Sequence, residues 1–117
     1  MDELIMELEK RGCDMKATLE RFIDDKEFYR DCLLSVLSDS NFNMLGDLLK
    51  SHDIKGAFDC AHTIKGLIAN MGIEELNNII VRIVEPLRSG QDEGLIEVYN
   101  ELMEKKKVYD ELVNKYV

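Results

Sequence analysis

The sequence predicts an all-α fold: an up-and-down antiparallel four-helix bundle with short additional N-terminal helices. Three observations predict it. Breakers are scarce, with 7 Gly and 1 Pro in 117 residues, and the abundance of Leu, Ile, Glu and Lys favours helix. Apolar residues recur at three- and four-residue spacing through most of the chain. The turn signals between these stretches are only a few residues long, so successive long helices should lie side by side and antiparallel. No linker, repeat or low-complexity tract interrupts the pattern. One domain, residues 1–117, is expected, and that length can bury a core without disulfides or metals.

The elements follow in order. Residues 2–10 form a short amphipathic start, stopped near Gly12. Asp14 can cap a second short helix whose Met15, Leu19, Phe22 and Ile23 make an apolar stripe. Asp24 and Asp25 open a third helix, with Phe28, Cys32 and Val36 expected inward. Ser38, Asp39, Ser40 and Asn41 read as a loop and cap. A fourth helix over 40–52 then buries Phe42, Leu45, Leu48 and Leu49.

Asp53 caps the next helix, 54–71, which Gly72 ends. The helix over 74–89 has Leu76, Ile79, Ile80, Ile83, Val84 and Leu87 inward, and Pro86 should kink or loosen its last turn. Gly90 closes it. Asp92 is expected to cap the last helix, 92–115, which turns Leu95, Val98, Leu102, Tyr109, Leu112 and Tyr116 inward. The N-terminal helices would pack as a lid or an extension.

Charge and cysteine usage narrow the function. The formal net charge of -9 is opposite to that of a general nucleic-acid binder. Cys13, Cys32 and Cys60 are odd in number and far apart, which argues against a disulfide framework or a zinc site. They fit as small apolar residues on helix faces. The N-terminus MDELIMELEK is too charged for a secretory signal. The apolar run Ile79 to Val84 is broken by Arg82 and too short for a bilayer. A cytoplasmic protein without membrane association is expected.

The stretch AHTIKGLIANMG, residues 61–72, raises the functional question. At about 100° per residue, with His62 at zero, Ile64 falls at about 200°, Ile68 at about 240°, Met71 at about 180°, Ala57 at about 220° and Cys60 at about 160°. These define the buried stripe, and His62 lies opposite it, facing solvent. Its neighbours on that face are Lys65, Gly66, Phe58, Ala69, Lys55 and Asp59. A glycine inside a helix costs about 1 kcal/mol relative to alanine, so Gly66 suggests that something must approach the imidazole closely. Imidazole is a nucleophile near neutral pH, and an adjacent ammonium suits a phosphoryl group bound to it.

The same stretch closely resembles the signature of histidine-containing phosphotransfer (HPt) domains of multistep two-component signalling. Its residues Ala61, His62, Thr63, Ile64, Lys65 and Gly66, then Ala69, Asn70, Met71 and Gly72, match that pattern. Leu19, Arg21, Phe22, Asp25 and Tyr29 resemble the family's N-terminal region, and Ile83 to Arg88, with Glu85, its apolar-Glu-x-x-Arg stretch. The resemblance covers roughly residues 12–112. It implies that His62 is the phospho-acceptor, that Lys65 stabilises the phosphoryl group and that Gly66 gives the partner access. Phe58, Ala69 and Lys55 would serve partner docking.

The resemblance further implies a phosphoryl carrier and not a kinase. The chain would have no cofactor and no metal of its own, and the Mg²⁺ would come from the partner receiver domain. The partners would be response-regulator receiver domains, including the receiver of a hybrid histidine kinase, and a monomer is expected. Leu67 and Ile68 stand where the family often has small residues, but by helical angle both lie away from His62; Pro86 is also atypical and bears on the straightness of its helix end, not on the chemistry.

Competing readings are a non-catalytic helical adaptor, a metal-binding bundle, and a phosphotransfer domain excised from a hybrid or chemotaxis-type kinase. The initiating Met favours a free-standing protein over the last. His52 reads as an exposed residue suited to a helix C-terminus, and Glu104 to Lys107 as a solvated face.

Overall fold

Asp14, Asp25 and Asp53 each stand just before a helical run, where a carboxylate can accept from an otherwise unpaired N–H. In the computed structural model, which describes residues 2–116, all three do so. Asp14 accepts from the N–H of Ala17, Asp25 from that of Phe28 and Asp53 from that of Gly56. The described residues form seven helices and no strand: α1 (Asp2–Lys10), α2 (Met15–Arg21), α3 (Lys26–Leu37), α4 (Asn41–Lys50), α5 (Ile54–Met71), α6 (Glu74–Arg88) and α7 (Leu95–Lys115).

The apolar periodicity is buried as one continuous core. Its centre holds Tyr29, Leu33, Phe42, Leu45, Ile64, Ile68, Leu76, Ile80, Ile83, Val84, Leu102 and Tyr109. α5 packs on α4 and α6, α6 on α7, and α7 returns to α4; α3 lies against both α5 and α7. At Gly46 of α4 the Tyr99 ring of α7 comes so close that a Cβ would sit 2.7 Å from its hydroxyl. That hydroxyl donates to the Phe42 carbonyl at 2.8 Å. The glycine therefore sets how near α4 and α7 can approach.

Several expectations need correction. The second helix stops at Arg21, and Ile23 does not join its apolar stripe: it is 89% exposed. The chain leaves α2 through two residues with positive φ, Ile23 at 56° and Asp24 at 55°, so only Asp25 caps α3. That start rotates α3 by about one residue. Its buried face is Tyr29, Leu33 and Leu37, whereas Phe28 is exposed and Cys32 and Val36 are half-buried. Tyr29 wins the inward place because its hydroxyl finds a buried acceptor, the Met71 carbonyl at 2.8 Å.

Other differences are local. The fourth helix begins at Asn41 and ends at Lys50, and Leu48 is only partly buried. The last helix begins at Leu95 and not at Asp92; Gly94, with φ 73°, stands at its N-cap position. Val98, Leu112 and Tyr116 are half-buried, and Val113 is buried instead. Cys13 is buried in the turn after α1 and not on a helix face. α6 runs through Pro86 to Arg88 and closes on Gly90, whose N–H donates to the Leu87 carbonyl while that of Gln91 donates to Pro86.

Candidate functional site

α5 carries every residue of the histidine cluster. Its buried stripe is Ala57, Cys60, Ala61, Ile64, Ile68 and Met71, which leaves the opposite face to solvent. His62 lies on that face and is exposed, as are Lys55, Gly66 and Ala69. Lys65 and Phe58 are half-buried. The structure thus places all six predicted site residues on the open side of one helix. Leu67, next to Gly66, is half-buried, and Ile68 is in the core.

Phe58, one turn before His62, stacks on the imidazole with ring centroids 5.7 Å apart and planes 29° apart. Its ring also takes the guanidinium of Arg88 from α6, 5.2 Å from the centroid. Arg88 in turn meets Glu85 at 3.4 Å, both side chains half exposed. Phe58 therefore ties the histidine face of α5 to the end of α6. Helical spacing could foresee Phe58 beside His62, but not Arg88, which reaches it from another helix.

The glycines separate by what surrounds them. A Cβ on Gly56 would lie 2.5 Å from the Asp53 carboxylate, and one on Gly72, with φ 73°, would lie 2.1 Å from the Thr18 hydroxyl. Both are demanded by the fold. A Cβ on Gly66 would meet nothing within 4 Å. Packing does not explain that glycine.

The local charge departs from that of the chain. α5 holds two lysines against one aspartate, Asp59, and Arg88 adds a third cation beside Phe58. The whole chain is at -9. Lys55 and Lys65 form no ion pair among the described residues. Two available ammonium groups near an exposed imidazole suit an anionic group or an acidic surface.

The second histidine is elsewhere. His52 follows α4 with φ 58° and places Nδ1 2.9 Å from Asp92 Oδ2 on the α6–α7 connection. The N–H of His52 donates to Leu49 and that of Asp53 to Leu48, so His52 closes α4 in the left-handed position usually held by glycine. Asp92, expected as a helix cap, serves this pair instead.

No group of three or more His, Cys, Asp or Glu among the described residues is arranged to hold a metal ion. No helix among them is long and apolar enough to cross a membrane. The three cysteines are free thiols; burial pushes that of Cys60 up to about 11, and its sulfur lies 3.1 Å from the Asn41 carbonyl. In comparisons with protein-family models, with curated proteins and with solved structures, nothing matches this chain.

Proposed function

We propose that this protein is a cytoplasmic histidine phosphotransfer carrier of a multistep two-component phosphorelay, acting as a monomer on response-regulator receiver domains. The observation that carries the reading is Gly66: a glycine inside α5, one turn from an exposed histidine, with open space where its side chain would be. A residue that costs helix stability and relieves no clash is best explained by what must approach from outside.

In the proposed reaction a ring nitrogen of His62 attacks the phosphorus of a receiver's phospho-aspartate. The N–P bond forms, the O–P bond breaks, and the aspartate leaves as carboxylate; the attacking nitrogen is the unprotonated one, and the proton on the other ring nitrogen is released to solvent. The reverse step passes the phosphoryl group to a second receiver. Lys65 offsets charge on the phosphoryl oxygens. Phe58 holds the imidazole plane, and Lys55 and Ala69 extend the contact surface along α5. The receiver supplies the Mg²⁺.

We also infer that α4 to α7 form an up-and-down antiparallel bundle. The short connections and the closed series of packing partners, α4 on α5, α5 on α6, α6 on α7 and α7 on α4, support it.

The test is phosphoryl uptake from receiver domains carrying radiolabelled phosphate at their aspartate, with Mg²⁺, beside the variant His62→Gln. Acid-labile, base-stable label on the wild type alone is the expected result. A folded, helical protein that takes no label from any receiver of a panel would overturn the reading in favour of an adaptor bundle.

A further inference from the structure

Beside the histidine face lies a shallow groove of about 460 Å³, lined by Ile54, Lys55, Phe58, Leu87, Arg88 and Gly90. It runs across the seam between α5 and the end of α6. Its floor is apolar: Leu87 belongs to the core, and Ile54 packs against it. Its two charged walls, Lys55 and Arg88, are both cations, in a chain whose net charge is -9. Phe58 belongs to two places at once, because the ring that stacks on His62 also forms a wall of the groove.

We propose that this groove is the specificity pocket for the protein that docks on His62, and that it takes an apolar side chain of that partner flanked by a carboxylate. The inference rests on the phosphotransfer reading and adds to it a direction: the partner's footprint crosses from α5 onto α6. Two features of the site select this occupant. The groove is continuous with the histidine surface through Phe58, so a protein presenting a phosphoryl group to His62 lies against it. The charged residues that line it are both cations, and Lys55 is unpaired among the described residues, so an acidic partner group is drawn there and a basic one is repelled. Lys55, which has no ion-pair partner among the described residues, supplies the free charge. Arg88 is already held between Glu85 and Phe58 and acts as a fixed wall.

Two variants test it: Lys55→Glu, which reverses an exposed charge, and Ile54→Trp, which fills the groove from its floor. Folding of each is checked by circular dichroism. The readout is the second-order rate of phosphoryl transfer from a phosphorylated receiver, measured across ionic strength. The wild type should slow as salt rises. Lys55→Glu should react about tenfold more slowly at low salt and lose most of that salt dependence. Ile54→Trp should slow transfer at every salt concentration.

If the wild type accepts label but both folded variants match its rate and salt slope, the groove has no such role and the carrier reading stands. If the wild type accepts no label from any receiver, the carrier reading falls and the groove proposal with it. If the variants lose rate only in step with lost self-association in sedimentation, the groove seats a second copy of this chain, which also overturns the proposal.

Discussion

Gly66→Ala should make this protein more stable, and, if it is the proposed phosphoryl carrier, Gly66→Gln should make it a poorer one. Gly66 lies inside α5 without positive φ, and a Cβ there meets no atom within 4 Å. The methyl group therefore brings no clash. What remains is the gain in helix propensity, about 1 kcal/mol. An unfolding entropy of about 2.1 cal/mol/K per residue over 117 residues is roughly 0.25 kcal/mol/K, so the melting temperature should rise by about 4 °C. Thermal and urea unfolding by circular dichroism measure this directly.

The glutamine variant keeps a helix-compatible backbone but sets a long side chain one turn from His62, on the same face. If close approach is the reason for the glycine, transfer from a receiver should fall by about 100-fold while stability holds. Destabilisation by alanine would refute the argument that Gly66 is unconstrained by packing. Wild-type transfer by the glutamine variant would refute access as its purpose. Gly56→Ala is the opposite control, because its Cβ would press on Asp53 at 2.5 Å; it should lower the melting temperature.

Other outcomes follow from the same structure. Ile23→Gly should stabilise the fold by about 1 kcal/mol in urea titration, since a β-branched residue at φ 56° that is 89% exposed bears strain and contributes little burial. Tyr29→Phe should cost about 1–2 kcal/mol, because the buried Met71 carbonyl loses its donor. Stability should fall steadily from about pH 9 upward. Burial raises Cys60 to about 11 and pushes Tyr29 and Tyr109 up further, so the unfolded chain gives up these protons first. A series of urea midpoints from pH 8 to 11 checks that sign, and a flat profile would refute it. On the proposed phosphotransfer reading, Lys65→Ala should slow phosphoryl transfer about 100-fold with no change in melting temperature.

The face of α5 was legible in the sequence because it depends only on local geometry: a fixed turn per residue places His62 opposite Ile64 and Ile68 whatever surrounds the helix. The caps at Asp14, Asp25 and Asp53 were legible for the same reason. The α2–α3 corner was not. Ile23 reads as apolar and inward, yet the chain passes through it in the left-handed region, and the start of α3 then depends on which of two aspartates caps it. That choice is made by Tyr29 reaching Met71, a contact 42 residues away. The same distance hid Arg88 over Phe58 and His52 beside Asp92. Spacing rules reach one or two turns along a helix; these pairs join different helices or the loops between them.

Long-range contacts of this kind also explain why the N-terminal helices matter to the site. An α-helix ends with four carbonyls that have no partner within it. In α5 three of these, those of Ala69, Asn70 and Met71, accept from side chains of α2 and α3. Arg21 donates to Ala69 at 3.3 Å and to Asn70 at 3.0 Å, and Tyr29 donates to Met71 at 2.8 Å. Thr18 packs so tightly on Gly72 that no Cβ fits. α2 and α3 thus act as a brace on the C-terminal end of the histidine helix and not as a lid over its face. A brace suits the proposed role of His62, in which partners reach it from solvent. The imidazole stays open, while the helix beneath it is fixed at one end by Asp53 and at the other by Arg21 and Tyr29. Little conformational freedom then remains to be lost when a partner docks, which is the condition under which an exposed side chain can still be precisely placed.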